Sequence, residues 1–405
     1  LVAALGAALS TSVVGLVGTR PLPSSASRQH ASTFRPRGPS SLRGITVDVW
    51  DYTWERQAPP VPLPAEADEA QPAAAPFTIT PEQIATLKRD GVVHVPQVLS
   101  PEWLEYLRQL TDHQVDNPHI WASPGVASGL YDYIQRNVWT TNDGFIKFLY
   151  HSPVSSVLAQ LGGARDSVRL TTDLLMVNPN KGFKWHQDNQ NGPVAFDDAL
   201  RFWVTMDDTP RDYGAPVYLR KSHENDSVDE DAVFVSLDEG DLPAYAEDRL
   251  EFRPKAGDMI VWHARTIHKI DGPESQDWGR RKRRVLGGTV AIDDAKYKDK
   301  QKVEFADMGR HSLKDGDPLA DPHFPKIWPR PVPEEVSARL ERGTVGRSLP
   351  GFARMLASMF SIKTLQQFNS WGNVLKIEQK VVAPEEAVED AAVATTVAAT
   401  SSASS

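Results

Sequence analysis

Cysteine is absent from the chain. That absence excludes disulfides, zinc ribbons, thiolate nucleophiles and iron–sulfur clusters, so any metal must rest on His, Asp or Glu. A basic excess is also lacking. The 44 Lys and Arg are outnumbered by 53 Asp and Glu, for a net charge of −9, which argues against a dedicated nucleic-acid binder. Long unbroken apolar runs are missing as well. The opening stretch 1–18 is apolar but interrupted by Ser10, Thr11 and Ser12, too short and broken for a stable membrane anchor. No internal repeat is visible. What is present is a 405-residue chain that is 40% hydrophobic, with 11 Trp and 31 Pro. It has material for a core, and its turn-rich texture fits a rigid globule better than a helical bundle.

Acidic residues are missing from one region in particular. Residues 1–47 hold no Asp or Glu, while Arg20, Arg28, Arg35, Arg37 and Arg43 sit among Ser, Pro, Thr and Ala. This composition predicts a transit segment to a plastid or mitochondrion, with the apolar run as the core of a bipartite plastid leader; the alternative is a cytoplasmic protein with an unstructured tail. The first residue is Leu, not Met, so the chain leaves room for a longer N-terminus. Ile45, Val47 and Val49, then Trp50, Tyr52 and Trp54, alternate as a strand-like aromatic arm. Residues 59–76, with six prolines, read as a semi-stiff linker, so that arm and linker together span 48–76. Residues 383–405 cannot bury enough apolar surface to order themselves. The folded unit is expected over 77–382.

Within that unit, Thr80-Pro81-Glu82-Gln83 predicts a helix start with a capping box, and Gly91 its left-handed end. Residues 92–95 read as a strand and Ser100-Pro101 as the start of a second helix. Beyond residue 165, short β-rich runs at 168–177, 200–206, 215–219, 259–263 and 285–292 are punctuated by Gly, Pro, Asn and Asp. This spacing predicts a mainly β protein with flanking helices, an antiparallel sandwich or jelly roll rather than a βαβ array. Helical patterns return near 334–341 and 352–368.

One short motif carries chemistry. In Trp185-His186-Gln187-Asp188, an imidazole and a carboxylate two residues apart share one face of an extended chain, which is two-thirds of a facial triad for non-haem iron. Alone this is a weak signal. Further on, Gly257-Asp258 turns into an apolar strand leading through His263 to His268, and Arg280–Arg284, with Lys282 among them, feed the strand 285–292. The chain order is thus His-x-Asp, then His, then Arg.

From Thr80 to about Tyr297 the chain resembles the phytanoyl-CoA dioxygenase family of Fe(II)/2-oxoglutarate oxygenases. The helix–Gly–strand–helix opening, Trp185 to Asp188, the turn region Tyr213 to Val217 with Lys221-Ser222-His223, and Gly257 to His268 carry the likeness. The resemblance implies a double-stranded β-helix (jelly roll, cupin-like) in which His186, Asp188 and His268 bind Fe(II). Arg283 would pair with the distal carboxylate of 2-oxoglutarate, with Arg284 the close alternative, and Trp203 would line the co-substrate pocket. It implies O2 as oxidant, ascorbate as an optional reductant, and release of succinate and CO2 as an aliphatic C–H bond is hydroxylated. In related halogenases a small residue replaces the carboxylate, so Asp188 favours hydroxylation. Where the family often has Gly-Ser after its second His, this chain has Lys269-Ile270, so a hydroxyl contact to 2-oxoglutarate is lost or supplied elsewhere. The partner is expected to be a small organic or lipid-like molecule, an acyl-CoA being one candidate, with no nucleic acid and an undetermined oligomeric state. The rival expectation is a non-catalytic jelly-roll binding protein that keeps the ligands. His263 reads as structural, on the opposite face of the strand from His268. His223 reads as a turn residue bonding backbone. Trp121, Tyr131, Tyr133 and Trp139 could line a substrate pocket, but at this density aromatics read first as core.

Overall fold

A computed structural model describes residues within 53–331, except 54–55, 68–76, 123–125, 127–128, 181, 189–192, 196, 211–212, 225–235, 243–247, 272–281 and 299–312. The acid-free leader, the aromatic arm residues named above, the helical patterns near 334–341 and 352–368, and the tail 383–405 lie outside the described residues. Among the described residues no helix is long and apolar enough to cross a membrane.

The first helix, α1 (Pro81–Asp90), begins as its sequence dictates. Gln83 N–H donates to the Thr80 hydroxyl, the Gln83 side chain accepts from Thr80 N–H, and Gly91 ends the helix at φ 78°, a left-handed angle that suits glycine. α2 (Pro101–Asp116) is capped by Ser100 and buries Trp103, Leu107 and Leu110. Two further helices, α3 (Asp143–His151) and α4 (Val154–Gly162), follow.

The strands form two antiparallel sheets. The large one comprises β1 (Val92–Val95), β2 (Tyr131–Arg136), β3 (Val168–Pro179), β5 (Ala199–Thr205), β9 (Met259–His263), β11 (Arg284–Ile292) and β12 (Lys326–Trp328). Its order is β1-β9-β5-β11-β3-β12, with β2 also paired to β3. The small sheet comprises β4 (Phe183–His186), β6 (Pro216–Leu219), β7 (Ser236–Leu237), β8 (Arg249–Glu251) and β10 (His268–Ile270), in the order β7-β4-β10-β6-β8. This is a jelly roll: two curled antiparallel sheets face one another.

Side-chain alternation sorts the large sheet into two faces. Phe202, Val204, Val261, Leu286 and Val290 pack with the helical Leu107, Leu110, Phe145 and Phe148 in the main core. The intervening residues Met176, Trp203, Ile260, Trp262 and Val285 turn the other way and pack with Tyr218 of the small sheet. Both faces are covered, which is why these strands read as near-continuous apolar runs. The cleft between the sheets is where polar chemistry collects.

One expectation needs correction. The apolar stretch leading to His268 is not a single strand. β9 ends at His263 in the large sheet, and β10 starts at His268 in the small one. The crossing is pinned by Thr266, whose N–H donates to His263 O at 2.9 Å and whose hydroxyl donates to Gly91 O at 2.8 Å.

Candidate metal centre and co-substrate pocket

Pairing of β4 with β10 puts His186 directly opposite His268, and their ring centroids lie 4.3 Å apart. Asp188 sits just past the end of β4 and turns its carboxylate toward both. His268 Nε2 lies 3.1 Å from Asp188 Oδ2, and His186 Nε2 lies 3.6 Å from Asp188 Oδ1. The three ligand atoms fall within 4.8 Å of one another, the single such His/Asp/Glu group among the described residues.

Each imidazole is oriented by backbone. His186 Nδ1 is 2.6 Å from Lys184 O and His268 Nδ1 is 3.0 Å from Thr266 O. A carbonyl only accepts, so each Nδ1 carries the proton and donates it, leaving the Nε2 lone pairs turned to the common point. Burial and the neighbouring His186 push His268 below its ordinary pKa, against the pull of Asp188, which favours the neutral form a metal requires. Burial opposes ionisation of Asp188, but Arg201, His268 and His186 outweigh it and hold the carboxyl well below the usual range.

Arg201 was not foreseen. On β5 its side chain points into the cleft, with Nε 3.1 Å from Asp188 Oδ2. Its Nη1 donates to the hydroxyl of Thr289, its cross-strand partner on β11. The signal in the sequence was an arginine inside an otherwise apolar strand at a cleft-facing position. Tyr131, Tyr218 and Trp262 also line the pocket with the triad. Tyr131 is both a core aromatic, buried with Met176, Trp203 and Tyr218, and part of the pocket lining.

The two arginines that the sequence left unresolved are separated by the fold. Arg284 is engaged: it donates to Asp207 from Nε at 3.0 Å and from Nη2 at 2.7 Å, and to Asp112 from Nη1 at 2.9 Å. A guanidinium already neutralised by two carboxylates is not available to a third, so the Arg284 alternative for the co-substrate is withdrawn. Arg283 is different. It is fully buried and stacks on Trp203 at 5.2 Å. Nη2 donates to Gly214 O at 2.7 Å, while Nε and Nη1 have no hydrogen-bond partner. Tyr131, Tyr213 and Tyr218 are the groups that act on it electrostatically, and burial draws its pKa down. A buried guanidinium with two idle donors and no paired carboxylate among the described residues suits a carboxylate-bearing small molecule. Tyr131, Trp203 and Tyr218, which line the pocket, are neighbours of Arg283. Gly214, at φ 79°, presses close: a Cβ there would stand 3.5 Å from Arg283 Nε. The Gly-Ala-Pro turn is thus the seat of the arginine.

Lys269 and Ile270 part company. Lys269 pairs with Asp271 at 2.9 Å and Glu239 at 3.3 Å, over the ring of Trp185, so its ammonium does not replace a pocket hydroxyl. Ile270 lines the pocket. His263 packs at a tilt against His223, with ring centroids 5.5 Å apart, and lies 3.5 Å from Asp197, away from the triad. His223 Nε2 is 3.0 Å from Lys88 O, a backbone bond at a turn.

Residues 87–283 match the family model described as phytanoyl-CoA dioxygenase. The domain belongs to the phytanoyl-CoA dioxygenase family. With its His-Asp-His triad, this family domain is a 2-oxoglutarate-dependent oxygenase with Fe(II), 2-oxoglutarate and O2 as its cofactor set. Among solved structures the chain is similar to the epimerase SnoN in complex with Fe3+, α-ketoglutarate and nogalamycin RO (22% identity, 61% of this chain and 97% of that one, TM-score 0.49). It is also similar to the carbocyclase SnoK from nogalamycin biosynthesis (20% identity, 62% and 99%, TM-score 0.48). A third likeness is to EctD from S. alaskensis with 2-oxoglutarate and 5-hydroxyectoine (17% identity, 73% and 95%, TM-score 0.46). No curated protein matches the sequence.

Proposed function

We propose that this family domain hydroxylates an unactivated aliphatic C–H bond of a small organic or lipid-like substrate, releasing succinate and CO2. The observation that carries the reading is the convergence of His186 Nε2, His268 Nε2 and the Asp188 carboxylate within 4.8 Å. In this reading these three side chains bind Fe(II) on one face and leave the opposite positions open. Arg283 takes the distal carboxylate of 2-oxoglutarate through Nε and Nη1, and Trp203 forms the wall beside it. When bound, iron and 2-oxoglutarate together supply the oxidising power that activates O2 for C–H cleavage.

The remaining work belongs to the protein. Arg201 holds Asp188 in place and keeps it ionised. Lys184 O and Thr266 O fix the imidazole tautomers. Leu174, Met176, Phe183 and Ile270 give the pocket apolar walls, which exclude water from a reactive centre. Retention of the carboxylate at Asp188, in place of a small residue, supports oxygen transfer rather than halide transfer. An acyl-CoA is one candidate substrate, and the acid-free leader supports an address in a plastid or mitochondrion.

The test is succinate release with Fe(II), 2-oxoglutarate and O2. Wild-type protein is expected to release succinate above background even without its true substrate, and His186→Ala to fall to background. Equal, background-level release from both would defeat the enzyme reading in favour of a binding protein. Hydroxylation itself is read from metabolites that gain one oxygen with wild type and not with His186→Ala.

A further inference from the structure

The pocket holds a hydroxyl that nothing in the fold uses. Tyr218, on β6, is fully buried and lines the same pocket as His186, Asp188 and His268. Its hydroxyl oxygen is shielded from bulk solvent and has no hydrogen-bond partner among the described residues. The ring itself is held firmly. It stacks on His268 at 5.5 Å with an interplanar angle of 24°, and packs against Trp262 at 5.4 Å and Phe252 at 5.9 Å. A fixed ring with an idle polar tip costs stability, because a buried donor that bonds to nothing forfeits its hydration.

Strand register says where that tip stands. β10 runs antiparallel to β6, with His268 opposite Tyr218 and Ile270 opposite Pro216. Residues two apart share a face, and all four of these line the pocket. Pro216 and Ile270 have no side-chain donor, so Tyr218 carries the one hydroxyl that this pair of strands turns to the pocket. The charged groups that act on it are Asp188, Arg201 and Arg283. The hydroxyl therefore feels both the triad and the guanidinium that, on the proposed function, takes the distal carboxylate. That is the span a bound 2-oxoglutarate has to bridge. Burial and the charge of Asp188 push the Tyr218 pKa up, against the pull of the two arginines, so the phenol keeps its proton and is able to donate it. Tyr131, the other pocket tyrosine beside Arg283, is the group that most favours the charged form of that guanidinium.

We propose that the Tyr218 hydroxyl donates a hydrogen bond to the distal carboxylate of 2-oxoglutarate, beside the guanidinium of Arg283, and so helps to select a dicarboxylate co-substrate. The proposal rests on the oxygenase reading and adds a selectivity residue to it. A carboxylate has about four lone-pair sites; Nε and Nη1 of Arg283 fill two, and the phenol reaches a third. A 2-oxo acid that lacks the distal group leaves the hydroxyl and the guanidinium buried and unpaired, which is a strong basis for rejecting it.

The experiment is calorimetric titration of the Mn(II)-loaded full chain with 2-oxoglutarate and with 2-oxopentanoate, which keeps the chelating end and carries a methyl group in place of the distal carboxylate. It uses wild type, Tyr218→Phe and Tyr131→Phe. Wild type is expected to bind 2-oxoglutarate at least about tenfold tighter than 2-oxopentanoate. Tyr218→Phe should lose about tenfold for 2-oxoglutarate and leave 2-oxopentanoate unchanged. Without ligand it should melt no lower than wild type, since the atom removed bonds to nothing in the fold. The proposal is overturned if Tyr218→Phe binds 2-oxoglutarate as wild type does, if it weakens both acids alike, or if Tyr131→Phe carries the selective loss in its place. A lowered melting temperature of ligand-free Tyr218→Phe overturns it as well, by giving the hydroxyl a structural bond. Failure of the oxygenase reading shows separately, as absence of succinate from wild type while the selectivity for 2-oxoglutarate persists.

Discussion

Asp188 shows how single residues in this cleft depend on one another. Its carboxylate stays ionised in a buried place because Arg201 is 3.1 Å away, and Arg201 is steadied in turn by Thr289. Removing the support of a ligand typically weakens a metal site about 10–100-fold. Arg201→Ala is therefore expected to lose metal affinity on that scale, measured by Mn(II) titration, with the fold retained by circular dichroism. An unchanged affinity would show that Asp188 needs no counter-ion. Arg283→Ala is expected to weaken 2-oxoglutarate by about 1.5–3 kcal/mol, roughly ten- to hundredfold, and to spare the metal. Arg284→Ala should instead lower stability, since it takes the guanidinium from the half-buried Asp207 and leaves Asp112 with Lys282 alone of the two cations beside it.

Asp173 gives a further prediction at this scale. It is fully buried; Trp139 N–H donates to its Oδ2 at 3.1 Å, and its Oδ1 has no partner. Burial pushes the carboxyl up to about 8 despite that bond. The folded state then keeps a proton that the unfolded chain has released. Stability is complete below the ordinary carboxylate pKa and falls as pH rises toward 8, by up to about 1.4 kcal/mol per pH unit. Denaturant midpoints at pH 5 and 8 should show this slope, and Asp173→Asn should flatten it.

Among the elements, β11 is the most constrained. Gly287 faces the pocket and Gly288 faces the core. A Cβ on Gly288 would come within 2.6 Å of both Phe202 Cε1 and Thr172 O. The backbone oxygen cannot swing away, so Gly288→Ala is expected to cost about 1–3 kcal/mol, read as a lowered melting temperature. A neutral result would mean that β11 and β5 can separate without loss. The strand was legible from its apolar pattern, and so were α1 and α2 from their caps. The crossing between β9 and β10 was not, because Ala264 to Ile267 carry neither Gly nor Pro. The turn is closed by a local bond from Thr266 to His263 and fixed by one from the same residue to Gly91, which comes from elsewhere in the fold. Parity arguments that ran from His263 to His268 therefore had no strand to run along, although both histidines lie where those arguments placed them relative to the triad.

For the molecule as a whole, the cleft between two sheets is a binding site built before anything binds. The core on the helical side keeps the large sheet rigid, and the small sheet brings the triad to it. A ligand that binds only this folded cleft must stabilise the fold by mass action, about 2.7 kcal/mol at a hundred times its dissociation constant. Mn(II) with 2-oxoglutarate is expected to raise the melting temperature of wild type, EDTA to reverse the rise, and His186→Ala to show none. A rise that survives His186→Ala would place the binding outside the triad.

The sequence by itself determined the elements with local signals and marked His186 and Asp188 as a candidate ligand pair, because caps, alternation and a His-x-Asp spacing are written in neighbouring residues, whereas His268 was supplied by the family resemblance. It also determined which chemistries were closed, through the lack of cysteine. Only the tertiary structure decided which arginine is idle. Arg283 and Arg284 are adjacent and chemically identical, yet alternate side chains on a strand face opposite ways, and only one of those ways is occupied by Asp207. The same holds for Arg201, whose meaning lies in the carboxylate of Asp188 beside it.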